Sequence, residues 1–121
     1  MKKAIALLAP LALAASGVAA TASPAAASAC PEGATCAYTS PNWAGSPGPV
    51  WQNNTNLSGY AKWRGAESIY NNGTYCNVYI YSGTNYTGTR YPLNLNTGWK
   101  SIAGSQIWHH AYSNKWYGSR C

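Results

Sequence analysis

Few side chains in this sequence could perform acid–base or metal chemistry. The 121-residue chain has two carboxylates, Glu32 and Glu67, no Asp, and two imidazoles, His109 and His110. A glycosidase needs a carboxylate pair at a defined separation, and this one candidate pair lies on opposite sides of the first of two sequence repeats. Adjacent strand residues point to opposite faces, so the histidines should not share a metal ion, and a Ser–His dyad lacks an Asp partner. The sequence predicts a protein that is not an enzyme.

Residues 1–29 have the composition of a secretory signal peptide. A basic start precedes a largely apolar stretch over residues 5–20 and the small-residue cleavage site Ala27-Ser28-Ala29. A transmembrane helix is disfavoured because the apolar stretch is short and Ala-rich. Lipoprotein processing at Cys30 is a further alternative, but Ala27 stands where a large aliphatic residue is typical. We expect cleavage and a secreted, extracellular domain of residues 30–121, with no membrane attachment.

Four cysteines, Cys30, Cys36, Cys76 and Cys121, lie in this exported part. An even number of cysteines in an exported domain indicates disulfides, and a small domain needs them because its core is limited. Three pairings are possible. We favour Cys30–Cys36, at the first strand, and Cys76–Cys121, which ties the C-terminus to the strand that opens the second repeat. A zinc site is disfavoured because no Cys-x2-Cys spacing occurs.

An aromatic–glycine pattern occurs twice in the chain. A Tyr is followed by four residues, an aromatic residue, one residue and a Gly; the copies are Tyr38, Trp43 and Gly45 and, 43 positions later, Tyr81, Tyr86 and Gly88. The pattern is typical of a folded hairpin in which the Gly adopts a positive φ. A second match pairs Ser68-Ile69-Tyr70 with Gln106-Ile107-Trp108. These matches predict two related units of about 40 residues each.

The duplicated pattern, each time followed by a strand of the Ser-Ile-aromatic kind, resembles the βγ-crystallin Greek-key motif. With its signal peptide and its Cys-Pro-x-Gly-x-x-Cys start at residues 30–36, the chain is similar to the secreted actinobacterial metalloproteinase-inhibitor family. The resemblance implies a βγ-crystallin-like sandwich and a rigid loop that inhibits an extracellular zinc metalloproteinase. No reactive-loop motif matches particular residues, so the inhibitory loop is unknown. Because one fold serves many functions, the alternative is a glycan- or cell-wall-binding antimicrobial protein of the killer-toxin type.

Calcium-binding members of this fold family carry two Asn or Asp, two further residues, then Ser or Thr and Ser, because hard cations need clustered oxygen ligands. The runs aligned with that pattern are residues 63–68, Trp-Arg-Gly-Ala-Glu-Ser, and residues 101–106, Ser-Ile-Ala-Gly-Ser-Gln. Both runs lack the acidic or amide pair, and Arg64 adds a positive charge to the first. We therefore expect no calcium site and no other cofactor.

Strands must position these residues, because no helical periodicity is evident after residue 30. The sequence predicts an all-β, disulfide-linked sandwich of two Greek-key motifs with about eight strands. These are residues 34–39, 48–52, 59–63, 66–72, 75–82, 88–93, 104–110 and 115–118. The connections 52–58 and 94–104 are the longest. Functional residues concentrate in long loops, but for either connection taken alone a solvated connector is the favoured interpretation.

Charge and aromatic content restrict the partners. Residues 30–121 carry six cations and two carboxylates, a net charge of +4, with the cations scattered singly along the sequence. This basicity suits an acidic wall polymer or an acidic protein, whereas export and the lack of a readable recognition helix argue against nucleic acid. The chain has six Trp and ten Tyr, most of which must be core, so we expect only Trp43 or Trp99 on an exposed platform. We also expect a monomer.

Overall fold

The computed structural model describes residues 30–121, so the predicted signal peptide and its cleavage lie outside the described residues. Within this range, one short helix, α1 (Ala61–Arg64), and two 3-10 turns, Pro41–Trp43 and Thr84–Tyr86, accompany seven strands. The strands are β1 (Ala34–Tyr38), β2 (Gly48–Val50), β3 (Ser68–Asn72), β4 (Asn77–Tyr81), β5 (Arg90–Leu93), β6 (Gly98–Trp99) and β7 (Ser113–Tyr117). No helix in residues 30–121 has the length and apolar character needed to cross a bilayer.

Two antiparallel sheets form the predicted sandwich of two Greek-key motifs, which we call the first motif (residues 30–75) and the second motif (residues 76–121). The strand orders are β2-β1-β3-β6 and β5-β4-β7. The motifs exchange segments. Strand β6 of the second motif pairs with β3, placing Trp99 opposite Ile69, and the first motif reaches β7 through a bridge between Asn54 and Asn114. Each sheet is therefore completed by the other motif.

Apolar side chains from both sheets fill the space between them. Val78 and Ile80 of β4 are fully buried, while Tyr79 between them lies on the outer face, as the two-residue period of a strand requires. The main core also includes Val50, Leu57, Trp63, Ile69, Leu93, Ile102 and Ile107. A smaller cluster covers the outer face of the first sheet and contains Cys30, Ala34, Cys36 and Tyr38, with Trp43 and Tyr70 packed against it.

Two of the predicted strands are wrong. Residues 59–63 lead into helix α1, where Trp63 is buried and its Nε1 donates to the Gly48 carbonyl over 3.0 Å. Residues 104–110 form successive turns, with His109 at a φ of 58°. Ile107 and Trp108 gave that segment its strand-like composition, although Ile107 is apolar because it is buried in a turn. The short strand β6 had no pattern of its own to reveal it.

The two aromatic–glycine hairpins have the same backbone. In the first hairpin, Asn42 and Trp43 adopt φ values of 59° and 56°, and Gly45 follows at 86°. In the second, Asn85, Tyr86 and Gly88 have φ values of 56°, 60° and 80°. Consecutive left-handed residues fold each hairpin over its own strand, and Gly accepts the positive φ without steric cost.

A buried serine holds each hairpin in place. The Ser68 hydroxyl accepts from the Trp43 N–H (3.0 Å) and donates to the Ser40 carbonyl (2.7 Å). In the second motif, the Ser113 hydroxyl accepts from the Tyr86 N–H (3.1 Å) and donates to the Gly83 carbonyl (2.6 Å). The counterpart of Ser68 is therefore Ser113, and the predicted match of residues 68–70 with residues 106–108 is wrong. The shared Ile and aromatic residue of that match reflect composition, whereas the hydroxyl is what the hairpin requires.

The disulfides join Cys30 to Cys36 and Cys76 to Cys121, with Cα–Cα separations of 5.8 and 6.1 Å. These are the pairings favoured from the sequence. The first lies at the start of β1 within the buried outer cluster, and the second connects the residue before β4 with the residue that ends the chain described here. Each disulfide cross-links residues of a single motif.

Candidate functional site

The structure brings together one imidazole and one carboxylate that lie far apart in the sequence. His109 Nε2 lies 3.1 Å from Glu67 Oε2, and the His109 ring stacks on Trp108 with centroids 3.7 Å apart. His110 instead packs against Tyr112. Both side chains are partly exposed, and within residues 30–121 no group of three His, Cys, Asp or Glu side chains could hold a metal ion. The pair links the two motifs across 42 sequence positions, which no local pattern could show.

The two runs compared with the calcium motif, residues 63–68 and 101–106, are not structurally equivalent. Because Ser113 matches Ser68, the counterpart of residues 63–68 is residues 108–113, Trp-His-His-Ala-Tyr-Ser, rather than residues 101–106. Backbone carbonyls in the two runs are already engaged, since the Glu67 carbonyl accepts from Ile102 (3.0 Å) and the Tyr112 carbonyl from Leu57 (2.7 Å). Neither run contains the Asn or Asp pair that would cluster oxygen ligands.

The tryptophans expected on an exposed platform are in fact half-buried. Trp43 Nε1 donates to the Ile69 carbonyl over 3.1 Å, and Trp99 packs against the core beside Tyr91. Trp43 packs against the outer cluster of the first sheet and Trp99 against the main core, so both rings supply packing area. The exposed large rings in the described part of the chain are Trp51 at 54%, Tyr60 at 50%, Tyr75 at 57% and Trp108 at 42%.

Two of these exposed rings line one cleft of about 310 Å³, which we call the aromatic cleft. Its walls are Gly33, Trp51, Asn53, Thr74, Tyr75, Cys76, Trp116 and Cys121. The Trp51 Nε1 donates to the Glu32 carbonyl over 3.2 Å, and the Arg120 guanidinium lies 4.0 Å from the centroid of the Tyr75 ring. Both rings are therefore held in position while they remain open to solvent.

The connection Gly73–Cys76 between β3 and β4, which we call the Tyr75 loop, is fixed at both ends. The Asn71 side chain is fully buried; its Oδ1 accepts from the Gly73 N–H (2.9 Å), and its Nδ2 donates to the carbonyls of Cys76 and Leu93 (both 3.2 Å). The disulfide to Cys121 adds a covalent tie. Between these points Thr74 and Tyr75 are exposed. This loop is too short to show a pattern in the sequence, and its one local signal is the Asn-Asn-Gly turn at residues 71–73.

The two longest connections both contribute to the packing of the sheets. In the connection 52–58, Asn54 Nδ2 donates to Asn114 Oδ1 (3.0 Å), and Leu57 is fully buried. The connection 94–104 contains β6 and the buried Ile102. Each provides the segment that crosses to the other sheet, so its length follows from the fold.

Two tyrosines have pKa values above the ordinary value for a phenol. Burial raises the pKa of Tyr38, and the nearby Tyr70 adds to the effect. Burial also raises the pKa of Tyr117, with a further increase from Tyr79, whereas Arg90 acts in the opposite direction. Tyr38 belongs to the outer cluster of the first sheet, and Tyr117 lies on the corresponding face of the second sheet.

Solved βγ-crystallin domains share this fold. A βγ-crystallin from Ciona intestinalis superposes with a TM-score of 0.57 at 12% identity, covering 70% of this chain and 100% of that protein. An archaeal βγ-crystallin gives a TM-score of 0.56 at 16% identity, covering 72% and 100%. IPSE/alpha-1 from Schistosoma mansoni eggs gives 0.57 at 20% identity, covering 71% and 86%. These likenesses confirm the βγ-crystallin-like fold, and no curated protein matches the chain.

The sequence also matches a family of inhibitors. The model of peptidase inhibitor family I36 aligns with residues 23–93, a range that includes the whole first motif, the Tyr75 loop and the hairpin of the second motif. The match covers more than half of the chain. The chain therefore belongs to peptidase inhibitor family I36.

Proposed function

We propose that the protein is a secreted, non-enzymatic inhibitor of zinc metalloproteinases that contacts its target through the Tyr75 loop and the aromatic cleft. The observation on which this rests is an exposed ring at the tip of a loop whose two ends are fixed by Asn71 and by a disulfide. Family membership supports a peptidase partner. The disulfides support an oxidising extracellular compartment, and the zinc class follows the resemblance described above.

A fixed loop is an advantage for an inhibitor because binding costs conformational entropy. A flexible loop loses freedom when it enters a proteinase cleft, and an already ordered one does not. In the Tyr75 loop, the buried amide of Asn71 satisfies the backbone groups on both sides of the exposed residues. The loop can therefore present Thr74 and Tyr75 in one conformation, at little further entropic cost.

The side chains of the loop and cleft have the properties of interface anchors. Large aromatic residues and Arg dominate the binding energy of protein interfaces, because they bury much area with few rotatable bonds. Tyr75, Trp51 and Arg120 supply such residues around one cleft. We infer that Tyr75 enters the proteinase while the cleft beside it receives a side chain from the proteinase surface.

The test is an inhibition assay with a thermolysin-like zinc proteinase and with a serine proteinase. Tyr75→Ala should raise the inhibition constant about 30-fold, the effect of losing an anchor worth roughly 2 kcal/mol. Tyr60→Ala is the matched control because Tyr60 is similarly exposed but lies outside the cleft, and it should change inhibition little. Removing the Cys76–Cys121 disulfide should also weaken inhibition at a temperature where the protein stays folded.

Equal effects of the two tyrosine substitutions would contradict the proposed contact. Inhibition of the serine proteinase alone would contradict the zinc class and leave the contact open to test there. No inhibition of either class by the folded protein would contradict the function itself.

The alternative function is a glycan- or cell-wall-binding antimicrobial protein of the killer-toxin type, which would use the same cleft. The exposed rings of Trp51 and Tyr75 are its supporting observation, because sugar rings stack on open aromatic faces. In this case the protein would sediment with chitin, and Trp51→Ala would release it. We expect no retention on chitin.

A further inference from the structure

The outer face of the second sheet carries an ordered layer of tyrosines and cations, which we call the tyrosine–cation face (Tyr79, Tyr86, Arg90, Lys115 and Tyr117). Tyr79 and Tyr117, on adjacent strands, stack with centroids 3.8 Å apart and planes inclined by 8°. The Arg90 guanidinium lies 4.1 Å from the centroid of the Tyr79 ring, and the Lys115 ammonium lies 5.3 Å from that of Tyr86. Two cations that are separate in the sequence, Arg90 and Lys115, thus lie on one sheet face.

The cations on this face have no acidic partner. Both carboxylates of residues 30–121, Glu32 and Glu67, belong to the first motif. Arg90 and Lys115 are exposed, and their N–H groups donate to no protein acceptor within residues 30–121, although the rings hold both side chains in place. By contrast, Lys62 and Arg64 of the first motif donate to Ser46 and Ser58. The donors of the tyrosine–cation face are therefore available to a ligand.

We propose that the tyrosine–cation face binds an acidic polysaccharide, a polymer that bears carboxylates and hydroxyls along its length. A guanidinium and an ammonium complement the carboxylates, and the phenol hydroxyls of Tyr79, Tyr86 and Tyr117 can exchange hydrogen bonds with sugar hydroxyls. A sheet face is flat and open, which fits an extended polymer better than a small ligand. This site goes beyond inhibition and shares no residue with the Tyr75 loop or the aromatic cleft.

The ring geometry argues against single-stranded nucleic acid as the ligand. Bases bind such surfaces mainly by stacking on open aromatic faces. Here Tyr117 covers one face of the Tyr79 ring and the Arg90 guanidinium covers the other. The central ring of the layer, Tyr79, therefore presents its edge and hydroxyl beside the cations, which are groups that a hydroxylated polyanion uses.

Binding of the whole protein to polygalacturonate at low salt is the direct test, with chitin as the neutral glycan. We expect retention on polygalacturonate that weakens as salt screens the charges, and none on chitin. The double variant Arg90→Gln/Lys115→Gln should weaken binding by about tenfold or more, since both charge contacts are lost. Lys62→Gln/Arg64→Gln is the matched control, because it removes the same charge from the first motif. It should weaken binding by less than about threefold.

Three results of these binding assays would overturn the proposal. The first is no binding of the unaltered protein at low salt. The second is an equal loss in both double variants, which would show a dependence on net charge alone. The third is equally tight binding of polyglutamate or single-stranded DNA, which would show a preference for any polyanion. Melting curves of each variant, with the single substitutions Arg90→Gln and Lys115→Gln, separate lost binding from lost folding.

The two surfaces can also be separated by function. Arg90→Gln/Lys115→Gln should inhibit the proteinase as strongly as the unaltered protein, and Tyr75→Ala should bind polygalacturonate normally. If the charge variant loses inhibition as well, the tyrosine–cation face belongs to the proteinase contact and the polysaccharide proposal fails.

Discussion

The two sheets have equivalent backbone positions on their outer faces, but the side chains at those positions form different surfaces. In the first sheet, the Cys30–Cys36 disulfide covers the face, and Trp43 packs edge-on against Tyr70. In the second sheet, Tyr79 occupies the position of Cys36, Tyr86 that of Trp43 and Lys115 that of Tyr70. One face is thereby a second small core, and the other is an open layer of rings and cations.

This difference separates what the fold requires from what it leaves free. Both motifs keep the positive-φ hairpin, the buried serine beneath it and the apolar inner face. The outer faces of the two sheets differ in both charge and solvent exposure. The duplicated parts therefore stabilise the fold, while the parts that differ are available for binding.

The largest expected contrast is between Trp63 and Trp108, which occupy equivalent positions before Ser68 and Ser113. Trp63 is buried and hydrogen-bonded, so Trp63→Ala should cost about 3–5 kcal/mol of unfolding free energy. Trp108 is exposed and stacked on His109, so Trp108→Ala should cost less than about 1 kcal/mol. Urea unfolding of both variants measures the difference, and similar losses would show that the two motifs pack this position alike.

The second-largest expected contrast is between the contributions of the two disulfides to the free energy of unfolding. The chain-entropy estimate gives about 4 kcal/mol for Cys76–Cys121, with a sequence separation of 45, and about 2 kcal/mol for Cys30–Cys36, with a separation of 6. Paired Cys→Ala variants in chemical denaturation check the order. A larger loss on removing Cys30–Cys36 would mean that packing in the outer cluster outweighs loop closure.

The two serines should behave alike. Ser68→Ala and Ser113→Ala each remove a hydroxyl that satisfies one backbone N–H and one carbonyl, so each should cost about 2 kcal/mol. The expected difference between the two variants is under about 1 kcal/mol, measured by thermal or urea unfolding. A clearly unequal pair would show that one hairpin has other support.

Alkaline pH should destabilise the protein through tyrosines that resist ionisation. The pKa of Tyr38 in the folded protein is raised above its unfolded value of 10.0, so the folded state keeps the proton longer. This contribution is complete below pH 10.0 and decreases as pH rises through the folded pKa. Tyr117 should contribute in the same direction. Unfolding free energies at increasing pH for the protein, Tyr38→Phe and Tyr117→Phe check this, because each substitution should flatten the decrease.

The smallest expected effect is that of calcium. A calcium ion that binds only the folded state would raise the melting temperature by mass action. The equivalent runs 63–68 and 108–113 lack paired Asn or Asp, so melting curves with excess calcium and with chelator should coincide at fixed ionic strength. A rise of several degrees would reveal a site built from other oxygens.

Much of the fold was predictable because its signals are local. The Tyr-x4-aromatic-x-Gly pattern lies within eight residues. Its Gly is required because that position adopts a positive φ, and its second aromatic residue packs where the hairpin folds back. Segments 59–63 and 104–110 were predicted as strands because aromatic and β-branched residues also occur in buried turns. Strand β6 is too short to show alternation, and its pairing with β3 depends on the tertiary fold.

The candidate sites were less predictable, because they depend on residues that are distant in sequence. The Tyr75 loop is fixed by an amide two residues before it and by Cys121 at the far end of the chain. The tyrosine–cation face combines strands β4, β5 and β7, and its cations stand singly in the sequence. The sequence shows the many tyrosines and the positive charge, but it does not show that Arg90 lies over the Tyr79 ring.

The exchange of segments between the motifs also restricts when the chain can fold during synthesis. Asn114 donates to the Gln52 carbonyl across 62 positions, and β4 gains its second neighbour only from β7. Until residues 113–117 have been synthesised, the first motif lacks part of its partner surface. Contacts this distant form late. We therefore expect stable folding of residues 30–112 to wait for β7, after which the two motifs fold as one unit.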